Sequence, residues 1–346
     1  MEILMSNWTD VQSLPKSYVF PPDRRPGDNP FPVCKNVPVI DLEKAKGHDR
    51  VETIQQILNA SQEFGFFQVI NHGVSDSLMD DTMSVFKEFF GMPAEYKVSF
   101  YSNDINKSCR IYSSTLNYQS EEVHYWRDNF THRCHPIEDH IQHWPERPAR
   151  YREVVSAYSV EVRKFLLRIL NMISEGLGVE PGYFDGDLSK IQLLSVNHHI
   201  PCPDPSLTLG MPEHCDPNLI SMLQQCSVPG LQVFLEGKWM GVEPLPNALL
   251  VIPGLQLKVI SNGKFTSPIH RVVTHSNEAR TTIGSFLIPS HDILIEPAKS
   301  LLDASQSQTP DYKAFTYKEF FSTFTGKNCD AEVALEFFKN KPVEKK

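Results

Sequence analysis

The chain contains no apolar run near the roughly 18 residues that a membrane-spanning helix requires. Its opening segment, MEILMSNWTDVQS, has neither the basic n-region nor the apolar h-region of a secretory signal, so a cytoplasmic protein is expected. Basic clusters are also missing beyond short pieces such as Arg24-Arg25 and Lys345-Lys346. With 33 Lys and Arg against 42 Asp and Glu, the net charge is −9, which argues against nucleic acid or an anionic membrane as partner. Cysteine is sparse: seven residues, an odd number, irregularly spaced and with no CxxC, the usage of reduced thiols and not of a disulfide or zinc framework. Internal repeats and low-complexity tracts are absent.

What is present is ordinary globular material. The 346 residues are 40% hydrophobic and 22% charged, enough for a large core and unlike a disordered, collagenous or coiled-coil chain. Residues 1–36 are Pro-rich and polar and read as a surface arm. The stretch 37–180 is mostly helical: apolar spacing predicts helices over 49–63, 75–92 and about 148–176, with a strand at Phe66–Ile70. Residues 101–140 read as loops and short strands, including a pocket loop at 109–118. From 190 to 298 eight short β-type runs alternate with turn signals: Ile191–Val196, Leu219–Gln225, Leu231–Leu235, Lys238–Val242, Leu249–Ile252, Leu257–Ile260, Ser267–Val273 and Thr281–Ile288. Residues 316–339 read as a broken terminal helix. The expectation is one catalytic domain over 1–346, mainly β, with a jelly-roll core at 181–300, helices packed outside and a helical segment at 301–346.

Residues i and i+2 of a strand share a face, so the thirteen histidines were searched for an acid two positions on. Chance alone gives about one or two such pairs, and one occurs: His214-Cys215-Asp216. Downstream, His270-Arg271-Val272-Val273 ends a β-run, and Arg280 follows at a distance that allows a hairpin return. Thr282 and Phe286 fall on the strand face of Arg280. Two histidines and one carboxylate leave three positions of an octahedral Fe(II) open, and an arginine fork suits the far end of a dicarboxylate. Residue types alone leave the plainer reading open, a surface histidine beside an acid plus a core histidine. His72 reads as a turn or core residue, and the cluster His124, His132, His135, His140 and His143 as a solvated loop.

Longer motifs carry a resemblance over nearly the whole chain. Val37–Leu42, the run Phe64-Gly65-Phe66-Phe67-Gln68-Val69-Ile70-Asn71-His72-Gly73, Tyr125-Trp126-Arg127-Asp128, Asn197-His198-His199-Ile200-Pro201-Cys202-Pro203, Pro229–Val233 and Ser261-Asn262-Gly263 join the histidine motifs. Together they resemble the plant 2-oxoglutarate- and iron(II)-dependent dioxygenases, in texture closest to hyoscyamine 6-hydroxylase-like and downy-mildew-resistance-type hydroxylases. The resemblance implies that His214, Asp216 and His270 form the catalytic iron centre and that Arg280 binds the C5 carboxylate of 2-oxoglutarate. It also implies that Thr282, Asn197 and His199 lie beside that cosubstrate. Three motif positions depart from the family: Arg280-Thr281-Thr282 stands for R-x-S, His199 for a tyrosine, and Gly254-Leu255 for G-D. Thr keeps the hydroxyl, and histidine can still donate one hydrogen bond.

The implied reaction consumes O2 and 2-oxoglutarate, releases succinate and CO2, and hydroxylates, desaturates or epoxidises a small specialised plant metabolite such as an alkaloid or phenolic or flavonoid. Ascorbate supports such a centre. The alternative is a catalytically weak metabolite-binding protein on the same scaffold. Tyr112, Tyr125, Trp126, Phe130, Leu223 and Phe286 are expected to contact substrate, from their positions beside the motifs. Segment 109–118 carries Arg110 but no acid for a cationic amine, which favours a neutral or phenolic substrate. The partner is a small molecule, and the protein is expected to be a monomer.

Overall fold

A computed structural model describes residues 4–8, 11–27, 31–303, 309–327 and 330–340. Chain order begins with β1 (Val39–Asp41), α1 (Arg50–Glu63), β2 (Phe67–Ile70), α2 (Asp76–Phe90) and α3 (Ala94–Val98). It continues through β3 (Cys109–Ser113), β4 (Asp128–Arg133), α4 (Ile137–His140) and the long α5 (Tyr151–Leu177). The β-rich half holds β5 (Ile191–His199), β6 (Leu209–His214), β7 (Ile220–Gln225), β8 (Leu231–Leu235), β9 (Lys238–Gly241) and β10 (Leu249–Pro253). After α6 (Leu255–Ile260) come β11 (His270–Val273) and β12 (Arg280–Ile288). The chain closes with β13 (Leu294–Ile295), α7 (Lys299–Asp303), β14 (Phe315–Thr316), α8 (Tyr317–Gly326) and α9 (Ala331–Glu336).

The strands build a jelly roll from an eight-stranded sheet, ordered β1-β2-β10-β7-β12-β5-β4-β3, and a four-stranded sheet, ordered β6-β11-β8-β9. Helices α1, α2 and α5 cover the outer side of the large sheet. In α5 the residues Val155, Tyr158, Val162, Phe165, Leu166 and Ile169 recur every three or four positions and are buried, the stripe an amphipathic helix lays on a sheet. Each such side chain contributes about 1.5–3 kcal/mol on burial. Gln192 pins the helix to the sheet, donating from Nε2 to the Ser159 carbonyl at 2.9 Å and to Ser285 Oγ at 3.2 Å. Helix α5 stops at Gly178, whose φ of 67° is open to glycine without steric penalty.

Strand alternation separates the two sides of the large sheet. Along β5, Gln192, Leu194 and Val196 are buried toward the helices, whereas Ile191, Leu193, Ser195 and Asn197 are only partly buried on the inner side. Antiparallel register then aligns inner residues across strands. Tyr112, Asn129, Asn197, Thr282 and Gln225 form one row, and Arg110, Thr131, Ser195, Gly284 and Leu223 the next. Arg133, Leu193, Phe286 and Ser221 form a third.

Four sequence expectations need correction. Leu257–Ile260 is not a strand but part of α6, since a short apolar run has no decisive period. Strand β6 went unread because Gly210 and Pro212 interrupt it; at the edge of its sheet a proline is tolerated. β11 and β12 are not a hairpin: β11 pairs with β6 and β8, β12 with β5 and β7, so residues 274–279 cross between sheets. Cys109–Ser113 is the strand β3 and not a loop.

Candidate active site

His214 is the last residue of β6 and His270 the first of β11, and they are direct cross-strand partners. Antiparallel pairing thus sets two imidazoles side by side, their ring centres 4.1 Å apart. Asp216 lies two residues beyond the strand end, in the turn to β7, so the shared-face argument for His214 and Asp216 does not describe their placement. Its Oδ1 stands 3.5 Å from His214 Nε2 and 3.7 Å from His270 Nε2. The three candidate ligand atoms lie within 4.8 Å of one another.

Partners behind these side chains fix their orientation. His214 Nδ1 donates to the Pro212 carbonyl at 2.9 Å and His270 Nδ1 to that of Pro268 at 3.1 Å, leaving both Nε2 lone pairs free to face inward. Asp216 Oδ2 accepts from Ser221 Oγ at 2.5 Å, and Ser221 in turn accepts from Asn218 Nδ2 at 3.0 Å. The backbone of the turn is held by α6, where Leu255 N–H donates to the Asp216 carbonyl at 2.9 Å. A Cβ on Gly254 would stand 2.0 Å from the Asn218 carbonyl oxygen, so only glycine fits there. Burial alone would raise the Asp216 carboxyl; His270, His214 and Ser221 together outweigh it and bring it down to about 2. Burial, with His214 beside it, lowers His270 to about 4. Two imidazoles with one ionised carboxylate are a donor set that fits a divalent iron.

Toward the other end of the inner face sits Arg280, only 2% exposed. Its Nε donates to the Val228 carbonyl at 3.2 Å and its Nη2 to Gln225 Oε1 at 3.0 Å, and it has no ion pair among the described residues. Burial lowers its pKa to about 10, so it stays charged at neutral pH. Gly230 makes room for it, since a Cβ there would lie 2.9 Å from Arg280 Cδ and Nε. Thr282, on the same face, has a buried Oγ1 without a partner. His199 Nδ1 lies 2.8 Å from the Trp126 carbonyl, which only an N–H can satisfy. The ring's single proton is therefore used there, and burial with Arg280 nearby keeps it neutral. Its Nε2, buried and unpartnered, is an acceptor, which corrects the expectation of a free donor at this position. Asn197 Oδ1 accepts from Arg127 Nη1 and Asn129 Nδ2, both at 2.9 Å.

The six aromatic and apolar candidates divide. Tyr112, Leu223 and Phe286 lie on the inner face and are partly exposed there. Phe130 does not: it points to the helices, fully buried, with Phe89 at 4.3 Å and Tyr151 at 6.3 Å between ring centres. Trp126 is also fully buried, with Nε1 bonded to the Ile200 carbonyl and its ring packed on Trp8 and Tyr18. Tyr125 packs on Phe20 of the N-terminal segment. These three are structural residues. His132 is likewise no loop residue; it lies buried on β4, bonded to Tyr151 Oη at 2.9 Å. Sequence reasoning missed Arg127, Asn129, Ser195 and Ser221 as inner-face polar groups. The signal that could have found them is the alternation of polar residues at Arg127, Asn129, Thr131 and Arg133 with residues buried on the other side.

The chain is similar to known proteins over most of its length. Residues 37–150 match the family described as non-haem dioxygenase in morphine synthesis N-terminal, and residues 191–289 the 2OG-Fe(II) oxygenase superfamily. Hyoscyamine 6-dioxygenase of Hyoscyamus niger is 43% identical over 98% of this chain and 99% of its own. The DOWNY MILDEW RESISTANCE 6 protein of Arabidopsis thaliana is 42% identical over 95% of this chain and 96% of its own. The crystal structure of JOX2 in complex with 2OG, Fe and JA superposes with a TM-score of 0.83 at 28% identity, covering 99% of this chain and 98% of that one.

Proposed function

The chain belongs to the 2OG-Fe(II) oxygenase superfamily and is a 2-oxoglutarate-dependent dioxygenase, and we propose that His214, Asp216 and His270 hold its iron while Arg280 anchors the cosubstrate. The observation that carries this assignment is the convergence of two cross-strand imidazoles and a carboxylate within 4.8 Å of one another. Bound there, iron supplies the chemistry by which O2 and 2-oxoglutarate yield succinate, CO2 and an oxidised C–H bond. The chain's own residues do the rest. The Arg280 guanidinium meets the C5 carboxylate in a dry setting, where a charge-assisted pair is strong. Thr282 Oγ1 donates to the same carboxylate, which satisfies an otherwise orphaned hydroxyl. Asn197, its oxygen occupied by Arg127 and Asn129, offers its amide N–H groups to the pocket. His199 shapes the wall and holds the Trp126 carbonyl.

Phe286, Leu223 and Tyr112 line the space in which a substrate C–H is brought near the metal and water is excluded. The substrate is read as a small specialised plant metabolite, with hydroxylation, desaturation and epoxidation all within reach of one centre. The plant origin of the relatives supports that reading. A cytoplasmic monomer is proposed, in keeping with the finding that no helix among the described residues is long and apolar enough to cross a membrane. The test is Fe(II) uptake together with succinate release from 2-oxoglutarate under air with ascorbate. Stoichiometric iron and succinate, both lost in His214→Ala, are expected. A metabolite-binding protein on this scaffold would release no succinate, and an unchanged His214→Ala variant would overturn the ligand assignment.

A further inference from the structure

Building on the oxygenase reading of this pocket, we propose that the organic substrate is a small carboxylic acid whose carboxylate is bound by Arg110, with Arg133 beside it. Arg110 lies on β3, the edge strand of the large sheet, and is 7% exposed. Register places it on the inner face, opposite Thr131 and in the row that continues to Ser195 and Gly284. Its Nη1 is held by the carbonyls of Ile105 at 3.1 Å and Lys107 at 2.7 Å, which fixes the fork. Its Nε is buried without a partner, and no carboxylate pairs with it among the described residues. Arg133 stands two residues beyond Thr131 on the same face, opposite Leu193, and it too has no ion pair among the described residues.

The charges do not balance without a ligand. The inner-face positions of β3, β4, β5, β7 and β12 include Arg110, Arg133 and Arg280 and no Asp or Glu, and Arg127, just before β4, adds a further buried guanidinium held by the Ser114 carbonyl and Asn197 Oδ1. Asp104 is exposed and acts on Arg110 only at a distance, without an ion pair, its Oδ1 accepting from Asn106, while Glu121 accepts from Thr115 and His124. 2-Oxoglutarate meets Arg280 and leaves the guanidiniums on β3 and β4 unmatched. A buried guanidinium without a counter-charge is costly, and an acidic ligand offsets that cost. A cationic amine would meet like charge in a desolvated site. Between the arginines and the metal end, Leu193, Leu223, Phe286 and the Tyr112 ring present apolar surface, so the body of the acid is apolar or aromatic.

β3 is four strand intervals from β7, whose Ser221 holds Asp216, about 19 Å of sheet at the usual spacing of about 4.8 Å. The oxidised carbon is therefore several bonds from the carboxylate. The step balances as one oxygen atom of O2 entering the substrate C–H and the other entering succinate, as CO2 leaves.

The experiment titrates the full-length protein, loaded with Mn(II) and 2-oxoglutarate, with benzoate, cinnamate and cyclohexaneacetate, each beside its methyl ester and its amine counterpart. Tryptophan fluorescence reports binding independently of turnover. Acids are expected to bind about tenfold or more tighter than their esters. Arg110→Gln is expected to erase that ratio, and Arg133→Gln, which disturbs no carbonyl contact, to shrink it by about threefold. Esters or amines that bind as well as acids, a ratio that survives both variants, or no acid binding below about 1 mM would each overturn the proposal. An enzyme that releases succinate but shows no acid preference defeats this inference alone. Acid preference without iron uptake or succinate defeats the oxygenase site assignment instead.

Discussion

Replacing Arg280 by Met tests whether this buried charge exists to hold the cosubstrate. The guanidinium has five N–H donors, and the protein uses two of them, on Val228 and Gln225. Three remain for a ligand, enough for a two-pronged grip on a carboxylate. Each charge-assisted bond contributes about 1.5–3 kcal/mol, so losing both costs roughly 3–6 kcal/mol and weakens 2-oxoglutarate by about 10²–10⁴-fold. The unliganded protein should barely notice. Met leaves the Val228 carbonyl and Gln225 Oε1 unpaired at about 1–3 kcal/mol each, but it removes a buried unmatched charge whose desolvation costs several kcal/mol. The two effects oppose, and the net change is within about 2 kcal/mol. The assay is urea unfolding with Mn(II), with and without 2-oxoglutarate. At 100 times its Kd the ligand stabilises the wild type by about 2.7 kcal/mol, and at that same concentration it should leave Arg280→Met unmoved. Full ligand stabilisation of the variant refutes the cosubstrate role. A loss above about 4 kcal/mol in the unliganded form shows that Arg280 is structural instead.

Ser221→Ala removes the hydroxyl that orients Asp216 and is expected to weaken Fe(II) binding by about 10–100-fold with the fold retained, as metal titration would show. Phe130→Ala should cost about 3–5 kcal/mol in urea unfolding, because it empties a packed core site, whereas Phe286→Ala should act chiefly on substrate KM. Burial lowers His132 to about 3 and His198 to about 4, so the unfolded chain takes up these protons first. Their contribution to stability is present above about pH 6.5 and lost as pH falls toward 4. Unfolding at pH 5 should show a deficit of about 2 kcal/mol per ring against pH 7.5, and a flat profile over that range would contradict neutral burial.

Much of the candidate site was legible because short motifs carry it. His214, Asp216, His270 and Arg280 stood out as candidates by residue type and spacing, the longer motifs of the resemblance decided between them and the plainer reading, and three of them converge within 4.8 Å of one another. The local geometry was less legible. His214 and Asp216 looked like strand neighbours, but the acid lies in a turn whose shape depends on contacts from α6, a segment that itself looked like a strand. The step from β11 to β12 looked like a hairpin because sequence distance permits one; which sheet a strand joins is a long-range matter. Phe130 looked like a pocket residue because it follows a motif, yet strand alternation turns it toward the helices. Arg110 was visible, but that no carboxylate forms an ion pair with it among the described residues required knowing where Asp104 and Glu121 lie.

The layout of the inner face has an evolutionary corollary. The residues proposed to hold iron and 2-oxoglutarate lie on β6, β11 and β12 and in the turn before β7, while the groups proposed to select a substrate sit on β3 and β4, at one border of the large sheet. Mutation of that border can change what enters without disturbing how oxygen is handled. One scaffold could in this way supply many tailoring reactions, with its chemistry inherited intact and its diet renegotiated along a single edge.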